Sequence, residues 1–181
     1  SSSSAASDVY KRQVVDTLDL DGVNKAKPYY CKEDERLYIS HNAVGANGSC
    51  AGITAIKLNE DGTFNRDSRS EWKSDYSGGG TQSSPVIYNG RIYLGGGGGT
   101  MGSNEPVNVI DAETMTTIYS IDDIKTKGSA AVSTAYATEE NHQQVYVYFV
   151  PYDVKSQKMW VISDCEGQTL SLIHISEPTR L

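Results

Sequence analysis

Three stretches of this chain are the same short strand written three times: "RLYIS" (Arg36 to Ser40), "RIYLG" (Arg91 to Gly95) and "QVYVY" (Gln144 to Tyr148). Each places a tyrosine between two aliphatic residues, and Tyr38, Tyr93 and Tyr146 lie 55 and 53 residues apart. A period near fifty constrains the fold more than composition does. Each unit has to be one supersecondary element whose apolar faces are covered by its neighbours. Helical spacing at i, i+3, i+4 and i+7 is sustained nowhere in the core, whereas alternation over four to eight residues recurs, so the units are β.

Each central strand is preceded by another strand-like piece ("KPYYCKEDE", "SSPVIYNG", "AAVSTAYATEENHQ") and followed by a third ("GITAIKLNEDG", "PVNVIDAETM", "MWVISDCEGQ"). A fourth, "SRSEWKS" around Trp72 or "TTIYSID" around Tyr119, closes two of the units. The opening "VVDTLDLDG" reads as the fourth strand of a unit that lies upstream. Turn dipeptides separate the strands, among them Asp61-Gly62 and the strong hairpin signal Asn89-Gly90. Four short strands per unit at this period describe propeller blades. The expectation is an all-β chain: a partial β-propeller of about two to three four-stranded antiparallel blades, incomplete at both ends. The blades fall at about 28–74, 81–122 and 128–169, in a domain covering 14–169. Because a strand alternates faces, either the tyrosines or their aliphatic neighbours Leu37, Ile39, Ile92, Leu94, Val145 and Val147 should be buried, with the same choice in all three blades.

The stretch "SSPVIYNGRIYLGG…VNVIDAETMTTIY" resembles the quinoprotein-type (PQQ-like) repeat, whose blades read roughly SPVV-x-G-x-VYVGS and then LYALDAxTGKxxW. The resemblance covers nearly all of the core and implies a β-propeller. Met115 stands where that family has glycine and Tyr119 where it has tryptophan, while Trp72 keeps the aromatic of the interblade docking contact. Asp111, Ala112, Glu113 and Thr114 match the family turn and are read as structural. The same repeat occurs in quinone-dependent dehydrogenases, in envelope-assembly scaffolds and in many bacterial surface proteins. The resemblance therefore specifies fold more closely than function.

The two ends read differently from the core. Ser3 to Gln13 ("SSAASDVYKRQ") and Leu170 to Arg180 ("LSLIHISEPTR") resemble translated sequencing-library adaptors. The codons for "DVYKRQ" and for "LSLIHI" can be written as one short DNA element and its reverse complement. Residues 1–13 and 170–181 are accordingly expected to be adaptor-derived and not native. The whole chain carries a net charge of −7, which argues against nucleic acid and anionic lipid as partners, since both are bound through clustered Lys and Arg. No window approaches eighteen consecutive apolar residues, so no membrane-spanning segment is expected.

The run Gly95 to Gly99 lacks the Lys and the following helix of a phosphate loop and leads instead through Pro106 into a β-branched strand. It reads as the loop between the second and third strands of a blade, at the same place as "HNAVGANGSC" (His41 to Cys50) in the preceding one. With the connections "DYSGGGTQ" (Asp75 to Gln82) and "DDIKTKG" (Asp122 to Gly128), it should form one rim. The candidate binding residues there are His41, Asn42, Asn47, Asp75, Tyr76, Gln82, Asn104, Asp122 and Asp123, since function tends to sit on loops held by a rigid scaffold. His41 and His142 both fall in expected loops without a partner at ligand spacing, so no metal site is expected. No local nucleophile or zinc-protease motif appears, no cofactor is expected, and Trp160 reads as core. Whether Cys31 and Cys50 form a disulfide is left open.

These readings lead to a non-catalytic module of a bacterial exported or cell-surface protein, with an unidentified protein or glycan as partner alongside further blades of the parent chain. The alternatives are a fragment of a PQQ-dependent dehydrogenase or an envelope-assembly scaffold. The dehydrogenase resemblance implies a vicinal cysteine pair, an acidic base, calcium ligands and a tryptophan stacked on the quinone, and no Cys-Cys pair occurs here.

Overall fold

The computed structural model describes residues 13–23, 26–46, 48–76, 79–97, 105–150 and 158–169. The expected adaptor segments, apart from Gln13 itself, lie outside them, as do Asn47 and Asn104. The described chain is all β and forms three antiparallel sheets. Sheet I contains β1 (Tyr29–Cys31), β2 (Arg36–Gly45), β3 (Gly48–Leu58) and β4 (Phe64–Lys73). Sheet II contains β5 (Val86–Tyr88), β6 (Arg91–Leu94), β7 (Val107–Asp111) and β8 (Thr116–Ile121). Sheet III contains β9 (Ala131–Ser133), β10 (Val145–Phe149) and β11 (Trp160–Asp164). Within each sheet, neighbours in sequence are neighbours in space.

The turns explain the repeated meander. Between the first two strands of the sheets lie residues in the left-handed region: Glu35 (φ 58°), Asn89 and Gly90 (47° and 71°), and His142 and Gln143 (55° and 57°). Two consecutive positive φ angles give the turn whose twist matches a right-twisted hairpin, which is why Asn-Gly is so clear a signal at 89–90. Three further left-handed positions follow the third strand of each sheet, at Gly62 (φ 83°), Met115 (φ 53°) and Gly167 (φ 77°). Met115 thus adopts the conformation of a glycine while its side chain is buried in the core between sheets I and II. A bulge also repeats: the β3–β4 register shifts after Ala55 and the β7–β8 register after Val109. These residues pair with Tyr38 and Tyr93 respectively, so the bulge, with its added twist, sits at the same place in both sheets.

Sheet stacking produces two cores. Tyr38, Ala51, Ile53, Ala55 and Trp72 of sheet I pack on Ile92, Leu94 and Ile110 of sheet II. On the opposite face of sheet II, Tyr93, Val109 and Tyr119 pack on Val145, Val147, Phe149 and Ile162 of sheet III. The tyrosine face of one sheet therefore meets the aliphatic face of the next, twice. This changes the expectation of one burial choice throughout. Tyr38 is buried in sheet I with Leu37 and Ile39 half-buried, all of Arg91 to Leu94 is buried in sheet II, and in sheet III Val145 and Val147 are buried with Tyr146 half-buried. The reason is position: the outer sheets have one covered face each, and these are opposite faces, whereas the middle sheet has two.

One expectation is revised and one open question is answered. "VVDTLDLDG" forms no strand with a ladder; residues 16–21 run beside β4 on the face of sheet I turned away from sheet II, and Val23 O accepts from Asn42 N–H of β2 (3.2 Å). Cys31 and Cys50 are both buried and form no disulfide. Cys31 pairs with Arg36 and Cys50 with Ala43, so they lie about 23 Å apart along β2 at the usual strand rise.

Candidate functional site

The loop end of the sheets is built by four segments in contact. Gly79 N–H donates to Ser49 O (3.0 Å), which joins the connection after sheet I to the start of β3. Thr81 forms an isolated bridge with Gly97, and its hydroxyl donates to Gly95 O (2.7 Å), while Gly95 N–H donates to Ser83 Oγ (3.1 Å). Gly97 in turn lies so close to the connection after sheet II that a Cβ there would stand 2.6 Å from Thr126 O. The glycines therefore allow backbone to approach backbone. They are punctuation in a β scaffold, and the expected convergence of these segments at one end is observed.

The candidate residues occupy this end unequally. Asn42 Oδ1 accepts from Thr81 N–H (3.0 Å), with Gly80 leaving room for the amide. The Tyr76 hydroxyl donates to Asp122 Oδ1, bridging the connections that follow sheets I and II. The Asp122 carboxylate and partial burial hold the Tyr76 hydroxyl at a raised pKa of about 12. Asp75, Gln82, Asp122 and Asp123 are exposed. The two connections thus carry exposed carboxylates and an amide, and one of these carboxylates, Asp122, accepts from the half-buried Tyr76.

His41 departs from this picture. The pairing of β2 with β3 continues to Gly45 opposite Gly48, so the expected loop 41–50 is mostly strand, and His41 is fully buried in it. Its imidazole lies over Gly52, where a Cβ would stand 2.9 Å from His41 Cε1. Nε2 is 2.9 Å from Thr54 Oγ1 and 3.6 Å from Glu71 Oε2, while Arg69 Nε donates to the other Glu71 oxygen at 2.5 Å. It is a structural histidine of sheet I and is withdrawn from the rim. His142 lies in a turn, as expected.

The sequence reading missed Glu105, which is 1% exposed at the seam between sheets I and II. Its carboxylate accepts from Ala51 N–H (3.2 Å) and Asn108 Nδ2 (2.9 Å) and is hydrogen-bonded to Ser74. Burial raises its pKa above the ordinary 4.5, against the lowering effect of those donors. Folded Glu105 therefore keeps its proton to a higher pH than the unfolded chain, and stability attributable to it falls as pH rises through that window. A Glu105→Gln variant is expected to be less stable than wild type at pH 4, having lost one acceptor. The gap should narrow toward pH 7, because wild type alone bears the cost of ionising a buried carboxyl. Urea unfolding of both proteins across that range measures it, and a gap independent of pH would contradict the assignment.

Among the described residues, no group of three or more His, Cys, Asp or Glu side chains is placed to hold a metal ion. Comparison with protein-family models finds no match, and neither curated proteins nor solved structures yield one.

Proposed function

We propose that the chain is part of a non-catalytic β-propeller module of an exported or cell-surface protein, whose rim binds a protein or a glycan. Support for the radial arrangement comes from a contact made twice in the same sense. Lys27 N–H donates to Ser84 Oγ (2.8 Å), and Ser84 N–H donates to Ser129 Oγ (2.8 Å). The residues just before β1, β5 and β9 thus follow one another, and β5 borders both of the other short strands. Short strands set side by side while longer ones stack behind them are what blades around an axis require.

The observation that carries the binding role is the Tyr76–Asp122 bridge between two loops anchored to the sheets, with exposed Asp75, Gln82 and Asp123 on the same two connections. Carboxylates pair with sugar hydroxyl donors or with cationic side chains of a protein, and a tyrosine beside them adds an apolar surface with a polar tip. The resemblance to the quinoprotein-type repeat supports the exported or surface setting. Screening the chain against an array of neutral and amino-sugar glycans and a basic peptide set tests the reading. An Asp122→Asn, Asp123→Asn double variant is expected to bind its best probe at least tenfold more weakly with an unchanged unfolding midpoint. Absence of binding to every probe, or binding indifferent to the substitutions, would reject the rim. Dye reduction on addition of pyrroloquinoline quinone, calcium and an alcohol would replace the reading with the dehydrogenase alternative.

A further inference from the structure

Sheets I and II each carry four strands, whereas sheet III ends at β11 among the described residues. Its outer face presents half-buried Tyr146 and Tyr148 beside Val161, which pairs with Tyr148 and is 42% exposed. At the other end of the stack, sheet I turns half-buried Leu37 and Ile39 outward, and on that same side lies an extended segment with no sheet of its own. This segment is held by charge. Asp16 makes a paired contact with Arg66 (2.7 and 3.0 Å) and accepts from Phe64 N–H, Arg69 donates to Asp19 O, and Lys73 pairs with Asp21 (2.7 Å). Asp16, Asp19 and Asp21 therefore meet β4 in chain order, from Phe64 to Lys73. β4 bears the same relation to β8 of the next sheet, where Trp72 Nε1 donates to Thr117 Oγ1 (2.9 Å). The segment stands where the fourth strand of a preceding sheet would stand.

The two ends of the stack thus complement each other. One end has a sheet that shows three strands among the described residues, with β11 at its edge and a tyrosine face. The other has an aliphatic face already carrying an extended segment at the place of a fourth strand. We propose that a second copy of this chain docks head to tail, its Leu37/Ile39 face on the Tyr146/Tyr148 face, with its residues 14–22 laid along β11 as the fourth strand of sheet III. The occupant follows from continuity with the internal interfaces, since both existing cores join a tyrosine face to an aliphatic face in this order. An open strand edge is also a template for strand addition. The contact is heterologous, so it adds copies without closing on itself in a pair.

Sedimentation of the full chain tests this, with Val161→Lys blocking one end and Ile39→Lys blocking the other, each checked by circular dichroism for retained β structure. Wild type is expected to grow beyond dimers with concentration, and each blocked chain alone to associate at least tenfold more weakly. An equimolar mixture of the two blocked chains should stop at dimers, because one intact end of each kind remains. Hydrogen exchange gives a second reading: amides of β11 and of residues 14–22 should slow together as wild type assembles. A wild-type chain that stays monomeric would overturn the proposal, as it would if residues following Thr169 filled the β11 edge. Self-pairing of either blocked chain at wild-type strength would also overturn it, because that pairing would not use the blocked face.

Discussion

Replacing Asp164 by Ala is expected to lower stability by about 3–5 kcal/mol, a large share of what a domain of this size has. Asp164 is fully buried between sheets II and III, where its carboxylate accepts from Arg91 Nε (2.7 Å), Arg91 Nη2 (2.8 Å) and the Tyr93 hydroxyl (2.6 Å). Arg91 also donates to Gln168 O (3.0 Å) and lies 5.7 Å from the centroid of the Tyr119 ring. Removing the carboxylate leaves a guanidinium with a side chain only 10% exposed facing an apolar core. The cost is the stranded cation and not the net value of the ion pair, because desolvation of both charges offsets most of their attraction. An Arg91→Met, Asp164→Leu double variant should therefore recover most of the loss. Urea midpoints of the three proteins decide the matter: a single substitution costing under about 1 kcal/mol would show that water reaches Arg91 freely.

A comparable loss, about 3–5 kcal/mol, is expected on replacing Trp72 by Ala. Trp72 is 3% exposed, packs with Tyr38 and Ile53 against sheet II, and ties the two sheets through its bond to Thr117. Truncation removes a large apolar surface and opens a cavity between two sheets whose backbones are held in place by their own ladders, so collapse is limited. Trp72→Phe should cost about 1–2 kcal/mol, since most of the ring volume stays and one part-buried hydrogen bond is lost. Trp160, on the last described strand of sheet III, provides the contrast. It is half-buried, and its truncation should cost less than half as much, which chemical denaturation of the two alanine variants would show.

What could be read from the residues before the structure was local. Strand alternation at Arg36 to Ser40 and Arg91 to Gly95, the Asn89-Gly90 hairpin and the Asp61-Gly62 turn all depend on neighbours a few positions away, and all three sheets formed where their patterns lie. Long-range choices were not legible. His41 reads as a loop residue among Asn, Gly and Ala, and its burial depends on register with Gly52, which leaves space for the ring. A histidine across from a glycine is a signal only once the pairing is known. Arg91 and Asp164 are 73 residues apart, and no spacing rule connects them. Glu105 follows a glycine-rich loop and looks exposed, yet the donors that admit it to the seam come from Ser74, Ala51 and Asn108. In the rim, the segments were legible as loops, and the Tyr76 to Asp122 bridge followed only from their convergence.

The position of sheet II has a consequence for the order in which the molecule comes apart. Its four strands are joined by neighbours in sequence, so each sheet can assemble from local pairings before any stacking is settled. Stacking then differs among the three. Sheets I and III can each swing away while exposing one core, but β6 is buried along both faces from Arg91 to Leu94 and cannot reach solvent until a neighbour has left. Opening is therefore sequential, from the ends toward the middle. The middle sheet is the last unit to melt, and in the reverse direction it is the surface on which the other two are organised.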